Sequence, residues 1–244
     1  MDALTEEQAR TFAAIGLSRD TGLRAIERAC RACFGHGYDE NNGMLSEHLV
    51  LIASIASAQA GRIRNILEIG TFNGRTAALF SNLFPAAEIL TIDLPSDSPQ
   101  FVSSYQRENS AETFTTARDA LLDKLPNVRF SGMDSVSMTT WPSESFDLIW
   151  VDGAHGYPVV CADLINAYRV ARAGGMVMVD DVWIERDQSD AMYKSTAAYE
   201  TLESMRNAGL FDGYRLFLKR VGPAFNVRHK QKHIGHFIKP AAVD

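Results

Sequence analysis

The chain has 244 residues, 46% hydrophobic and 22% charged, which is the composition of a globular protein rather than a disordered one. Its net charge of -6 argues against a nucleic-acid partner, because binding to that backbone draws on a basic surface. No apolar run is long enough to span a membrane and the three cysteines do not suggest a disulfide framework, so we expect a cytoplasmic protein with no membrane partner.

The first sixty residues are predicted to be helical. Apolar residues recur there at helical spacing, and a stretch rich in Gly, Asn and Asp interrupts them. Three helices are expected, over Glu6–Ala14, Leu23–Cys33 and about Leu45–Ala60. We expect residues 1–60 to form a helical extension or lid that packs on a core of residues 61–244.

From residue 65 onwards, short apolar runs alternate with helical patterns. Five strands are predicted, at Asn65–Ile69, Glu88–Asp93, Asn127–Ser131, Phe146–Val151 and Met176–Asp180. Helices are predicted near 75–84, 112–124, 158–172 and 190–208. Such alternation produces right-handed crossovers and a parallel sheet that helices cover on both faces.

Two more strand-like runs close the chain, Tyr214–Arg220 and about Lys232–Ile238. The linker between them is too short for a helical crossover, so they should pair as an antiparallel hairpin. The predicted fold is therefore α/β, with a doubly wound and mostly parallel sheet of seven strands. The stretch Lys219–Lys239 is basic, and we interpret it as a solvated strand face rather than a phosphate-binding patch.

The loop after the first predicted strand has the features of a cofactor site. Ligands of doubly wound sheets bind at the carboxyl ends of the strands, and Gly70 and Gly74 allow the backbone to turn tightly there. Their spacing is Gly-x-x-x-Gly, so the Gly-x-Gly-x-x-Gly fingerprint of a pyrophosphate site is incomplete. Glu68 would repel phosphates and suits an ammonium or sulfonium group.

Further polar residues follow the second and third strands. Asp93 is placed to accept the hydroxyls of a ribose, and Asp134 and Ser135 could meet an adenine edge. The run Leu67–Thr76 resembles the first motif of class I S-adenosylmethionine-dependent methyltransferases. The resemblance implies S-adenosylmethionine as cofactor, bound by Glu68, Gly70, Gly74, Thr76, Asp93, Asp134 and Ser135.

Acidic residues end the fourth and fifth strands. The fourth runs into Asp152 and, three residues later, His155, and the fifth into Asp180 and Asp181. Neighbouring strand ends should bring these groups together, and adjacent carboxylates after a buried strand are costly unless a cation compensates them. Oxygen ligands favour magnesium or manganese, which predicts a metal site of Asp152, Asp180 and Asp181 with His155 as general base.

This arrangement is similar to the metal-dependent O-methyltransferases, both the catechol type and those that methylate sugar hydroxyls of macrolides such as macrocin. In the catechol type a lysine occupies the place of His155, so the histidine favours the sugar-hydroxyl type. The resemblance covers about Gly43 to Asp181. It implies that a metal binds the acceptor oxygen, that His155 removes its proton, and that the oxygen attacks the sulfonium methyl group.

Three alternatives are weighed against this hypothesis. An NAD-dependent oxidoreductase would need a complete glycine fingerprint and has no use for the acidic pair. A non-catalytic S-adenosylmethionine-binding protein would not need His155 beside three acids. A nucleic-acid amino methyltransferase would carry Asn/Asp-Pro-Pro-aromatic where this chain has Asp-Gly-Ala-His. The expected partner is a small molecule with a hydroxyl group; its identity and a homo-oligomeric assembly stay open.

Overall fold

One seven-stranded sheet organises the computed structural model, which describes residues 3–41, 44–103, 111–185, 195–222 and 232–241. The strands are β1 Asn65–Ile69, β2 Glu88–Asp93, β3 Val128–Gly132, β4 Phe146–Val151, β5 Ala171–Trp183, β6 Arg215–Leu218 and β7 Lys232–Ile238. Their order is β3-β2-β1-β4-β5-β7-β6. The predicted α/β class with a doubly wound sheet is confirmed.

The sheet is parallel from β3 to β5 and antiparallel around β7. β7 lies between β5 and β6 and pairs with both in the antiparallel sense, which confirms the predicted hairpin. β5 is longer than the predicted Met176–Asp180, because β7 pairs with Val182 and Trp183 beyond the acidic pair. The last strand is therefore inserted into the sheet and not added at its edge.

Helices cover both faces of the sheet. They are α1 Ala3–Ala13, α2 Arg19–Phe34, α3 Glu47–Gln59, α4 Arg75–Leu83, α5 Pro99–Ser103, α6 Ala111–Leu122, α7 Val159–Val170 and α8 Ala197–Asn207, with a 3-10 helix at Ser135–Thr140. The helix predicted near 190–208 begins at Ala197, and residues 186–194 lie outside the described part of the chain. No helix of the described residues is long and apolar enough to cross a bilayer.

The three N-terminal helices share a hydrophobic core with one face of the sheet. The Phe12 ring of α1 meets the Phe217 ring of β6 edge-on, with 5.1 Å between centroids. α3 is buried from Glu47 to Ala56, as expected of a helix that is apolar on every side. Its buried Glu47 carboxylate is compensated by Arg19, whose guanidinium donates at 2.8 and 2.6 Å.

Candidate active site

The loop between β1 and α4 lies directly against the end of β4. Gly70 has φ +102° and its N–H donates to the Ile92 carbonyl at 2.8 Å. A Cβ at Gly70 would lie 2.1 Å from the Asp152 carbonyl oxygen, so only glycine allows this approach. Gly74, with φ +77°, precedes α4, and Thr76 lies in the first turn of that helix. The predicted cofactor loop and the predicted acidic site thus touch each other.

Asp93, at the end of β2, fastens this loop. Its Oδ2 accepts from the Phe72 N–H at 2.8 Å and its Oδ1 from the Leu94 N–H at 2.8 Å. Phe72 has φ +48°, a left-handed conformation that is uncommon for a bulky residue and that this hydrogen bond supports. Asp93 therefore shapes the glycine loop, and it lies where a carboxylate that binds the ribose hydroxyls was predicted.

Glu68 lies beneath the loop. Its side chain is 1% exposed, and the Thr91 hydroxyl donates to its Oε2 at 2.6 Å. Thr91 Oγ1 is also 2.6 Å from Thr71 Oγ1, so Glu68 connects to the loop through two hydroxyl groups. Burial raises the pKa of Glu68 to about 8, against the opposing Thr91 hydrogen bond. A protonated Glu68 would not supply the charge attraction to a sulfonium that its sequence position suggested.

Asp134 and Ser135 lie past β3, where the 3-10 helix begins. Asp134 caps that helix, its Oδ1 accepting from the Val136 N–H at 2.9 Å. Asp163 of α7, which sequence reasoning missed, is fully buried, and burial raises its pKa to about 6. Neither of its carboxylate oxygens has a hydrogen-bond partner among the described residues. Its signal was an acid on the apolar stripe of α7, one residue before Leu164.

Asp152, His155, Asp180 and Asp181 converge as predicted from their strand ends. β4 pairs with β5 in parallel, with Val151 opposite Val179. His155 Nε2 lies 3.7 Å from Asp152 Oδ1 and 3.9 Å from Asp181 Oδ2. The His155 side chain is 6% exposed, whereas that of Asp152 is 24% exposed. The imidazole is thus buried between two carboxylates at the edge where the Gly70 loop ends.

A bulge in β5 directs both acids to one place. Consecutive side chains of a regular strand point to opposite faces, which would separate Asp180 from Asp181. The β5–β7 register shifts between Val179 and Val182, and Asp181 has φ +53°. Such a bulge re-aims side chains, and here it brings the two carboxylates to a common partner.

That partner is Lys219, the residue after β6. Its Nζ lies 2.5 Å from Asp180 Oδ2 and also contacts Asp181 Oδ1. Lys232, the first residue of β7, places its Nζ 2.7 Å from Asp181 Oδ2. The expectation of a solvated basic face is wrong for these lysines, since their side chains are 13% and 22% exposed and turned to buried acids.

The lysines control the charge of the acidic pair. Burial alone would raise the pKa of Asp180, but the Lys219 ammonium and the nearby histidines hold it below its usual range. The pKa of Asp181 is lowered in the same way, against burial and against the repulsion of Asp180. Burial and the charge of Asp180 raise the pKa of Asp152 well above its usual value. The two acids that face the ammonium groups therefore have lowered pKa values, whereas the pKa of Asp152 is shifted in the opposite direction.

A second histidine, His48, borders the cluster and was missed by sequence reasoning. It lies at the start of α3, stacked on the Trp150 ring with 5.1 Å between centroids, and Ser46 Oγ is 2.5 Å from its Nδ1. Burial lowers the pKa of His48 to about 4, although Asp180 opposes this. His48 is thus a neutral ring in the wall of the site. The apolar pattern of α3 runs all round the helix, so no sequence signal indicated which face meets the sheet.

The arrangement does not fit a divalent metal ion. Lys219 Nζ occupies the space between Asp180 and Asp181 that such an ion would need. Across the described residues there is no group of three or more His, Cys, Asp or Glu side chains that could hold a metal. The predicted magnesium or manganese site of Asp152, Asp180 and Asp181 is therefore not found, because an internal ammonium group already compensates the acids.

The order of the strands, the inserted antiparallel β7 and the glycine loop after β1 define the class I S-adenosylmethionine-dependent methyltransferase fold. In agreement, residues 67–182 match the family model of a methyltransferase domain. The matched segment runs from β1 to the acidic pair and includes every predicted cofactor and acidic residue.

Two kinds of relatives resemble the chain. It is 26% identical over 162 residues to the O-methyltransferase hkm8 of Aspergillus hancockii, a match that covers 65% of this chain and 58% of that relative's length. The O-methyltransferase TomG of Streptomyces achromogenes, solved with S-adenosylmethionine and involved in tomaymycin synthesis, superposes with a TM-score of 0.53 at 18% identity over 98% of this chain and all of its own. The CurJ carbon methyltransferase superposes with a TM-score of 0.54 at 14% identity, covering 79% of this chain and 53% of its own. Since one neighbour methylates carbon, the fold alone does not determine the acceptor atom.

Proposed function

We propose that the chain is an S-adenosylmethionine-dependent O-methyltransferase that acts on a hydroxyl group of a small molecule. The observation that carries this proposal is the position of His155, buried between Asp152 and Asp181 at the edge where the Gly70 loop meets β4. A general base beside the cofactor loop is what transfer to a hydroxyl requires and what mere cofactor binding does not. The O-methyltransferase relative supports the same choice of acceptor atom.

In the proposed reaction the protein mainly holds two reactants in line. The loop from Gly70 to Gly74 and the Asp93 carboxylate bind the cofactor, with Asp134 and Ser135 at the adenine end. His155 would accept the proton of the acceptor hydroxyl. S-adenosylmethionine, when bound, would supply the methyl group to that oxygen, and S-adenosylhomocysteine would leave as the carbon–sulfur bond breaks. Proximity and alignment supply most of the rate enhancement of such a displacement.

The acceptor that fits this site is an acidic hydroxyl such as a phenol. A phenol has a pKa of about 10, whereas an aliphatic hydroxyl is close to water at about 15.7. Proton transfer to an imidazole with the ordinary histidine pKa of about 6.5 costs about 5 kcal/mol from the phenol and about 12–13 kcal/mol from the alcohol. Burial lowers the pKa of His155, which increases both costs. A divalent ion would reduce the larger cost, but Lys219 fills its place. We therefore favour a phenolic acceptor over the sugar hydroxyl that the histidine suggested from sequence, and we leave magnesium out of the mechanism.

We further propose that residues 1–60 act as a cover for the acceptor side of a core formed by residues 61–244. His48 at the start of α3 lies in the wall of the acidic cluster and stacks on Trp150 of β4. The Glu47 N–H donates to the Lys219 carbonyl at 3.1 Å, which ties α3 to the segment that carries the lysine. An acceptor bound next to His155 would therefore meet α3.

The cofactor can be tested by calorimetry with the purified protein. We expect S-adenosylmethionine and S-adenosylhomocysteine to bind and NAD not to bind. Asp93→Ala should weaken S-adenosylhomocysteine binding roughly tenfold or more, since a hydrogen bond to a charged group contributes about 1.5–3 kcal/mol. Asp212→Ala, which removes an exposed carboxylate just before β6, is the matched control and should bind as the unmodified protein does.

Two results would count against the proposal. Binding of NAD without binding of S-adenosylmethionine would favour an oxidoreductase. Binding of S-adenosylmethionine with no methyl transfer to any member of a panel of phenols, catechols and sugar alcohols would favour a non-catalytic binding protein. Transfer to a phenol, detected by mass spectrometry as a gain of one methyl group, would support it directly.

A further inference from the structure

Lys219 is held in place along its whole length. Its backbone N–H donates to the Lys232 carbonyl at 2.9 Å, and its own carbonyl accepts from the Glu47 N–H. Its side chain is 13% exposed and ends on Asp180 and Asp181, which are 4% and 7% exposed. Ordering a lysine side chain is costly in entropy, so a lysine fixed at both ends is a built part of the site and not a mobile surface charge.

The oxygen atoms of the acidic pair are largely taken by ammonium groups. Asp180 Oδ2 and Asp181 Oδ1 bind Lys219, and Asp181 Oδ2 binds Lys232. Asp180 Oδ1 is buried and has no hydrogen-bond partner among the described residues. Magnesium requires a near-octahedral shell of oxygens at about 2.0–2.1 Å. It could enter only by displacing Lys219 and breaking both of that residue's ion pairs.

We propose that Lys219 is the resident cation of this site and takes the place of a divalent metal ion, so that methyl transfer proceeds without one. The inference rests on the proposed O-methyltransferase function and specifies how the acidic pair serves it. Lys219 forms ion pairs with both Asp180 and Asp181, which neutralises part of their charge and keeps the two carboxylates together beside His155. Asp181 in turn lies 3.9 Å from the His155 ring and restrains its orientation. Lys219 is thus a positioning residue that acts through Asp181 on the base.

Metal binding itself provides the test, because it requires no acceptor. Calorimetry with magnesium chloride and electron paramagnetic resonance with manganese chloride are done with S-adenosylhomocysteine present. We expect the unmodified protein to bind neither ion in the low millimolar range. Lys219→Ala removes one positive charge and opens space between the acids, so it should bind manganese at one site per chain, at least roughly tenfold more tightly than the unmodified protein. Magnesium should also raise the melting temperature of this variant but not that of the unmodified protein.

Two matched variants complete the experiment. Lys239→Ala removes a side chain that is also 13% exposed but donates to the Ala171 carbonyl at the opposite end of β5. It should bind no metal. Lys219→Met removes the charge but keeps most of the aliphatic stem, and it protects the test against a Lys219→Ala variant that fails to fold. It should bind manganese more tightly than the unmodified protein does.

The outcomes separate cleanly. One tight magnesium or manganese site in the unmodified protein that is lost in Asp180→Asn would overturn the inference. So would the absence of any gain of metal binding in both folded Lys219 variants, because Lys219 would then not occupy a cation position. Failure of the unmodified protein to bind S-adenosylhomocysteine would instead refute the proposed function, whatever the metal titrations show.

Discussion

Replacing His155 by alanine is expected to lower the rate of methyl transfer by roughly a hundredfold or more, the usual contribution of a positioned general base. Cofactor binding should be nearly unchanged, because the imidazole contacts carboxylates of the acceptor side. Burial lowers the pKa of His155, while Asp181 and Asp180 oppose this. The base acts when neutral, so the rate of the unmodified enzyme should fall only as the pH drops below about 6.5. This fall in rate at acidic pH should be absent from the pH profile of the variant.

His155→Gln is the matched control for folding, because it keeps a polar side chain of similar size that does not titrate in this range. Both variants should have the lower rate of methyl transfer and should lack the fall in rate at acidic pH, while their melting temperatures stay close to each other. An unchanged rate in His155→Ala, or a rate that still falls at acidic pH, would mean that catalysis depends only on the alignment of the reactants. The assignment of His155 as base would then be wrong.

Replacing Gly70 by alanine should destabilise the fold and remove the cofactor site at once. A non-glycine residue forced to positive φ costs about 1–2 kcal/mol, and overpacking costs a further 1–3 kcal/mol or so. Since the new Cβ would lie 2.1 Å from the Asp152 carbonyl oxygen, backbone must move on one side or the other. We expect a loss of about 2–5 kcal/mol in the free energy of unfolding, measured with urea. S-adenosylhomocysteine binding should weaken beyond the range of calorimetry.

Gly174→Ala is the control that separates the two effects of Gly70→Ala, the steric clash with Asp152 and the strain of a positive φ. Gly174 has φ +75° and a Cβ there would have nothing within 4 Å. This variant should lose only the strain, about 1–2 kcal/mol, and it should bind the cofactor normally. Equal losses of stability and binding in the two variants would mean that the contact between Gly70 and Asp152 does not shape the site.

The parts of the fold that sequence predicted well are those where one local pattern had one structural solution. β1, β2, β4 and β7 begin and end where the apolar runs do. The convergence of Asp152 with Asp180 followed from parallel pairing, which places the carboxyl ends of neighbouring strands together. Neither inference needed knowledge of distant contacts.

The parts that sequence did not predict depend on such contacts. Lys219 and Lys232 reach the acids only because β7 is inserted beside β5, and a basic run gives no sign of which lysines turn inward. The bulge at Asp181 arises from the pairing of β5 with β7, which no local pattern encodes. The two adjacent acids do have a cationic partner, as their spacing predicts. That partner is the Lys219 ammonium group of the chain, whereas a metal ion was predicted.

The insertion of β7 also sets an order of events during synthesis. Asp180 and Asp181 emerge from the ribosome well before Lys219 and Lys232, at about 5–20 residues per second. For that interval the nascent chain carries two adjacent acids without the two lysines that pair with them in the structure. They lie near the end of β5, whose neighbour β7 has not yet been synthesised. Their mutual repulsion disfavours early closure of this edge of the sheet. The half of the site that would bind the cofactor can therefore form first, and the half that would bind the acceptor must wait for the final strand.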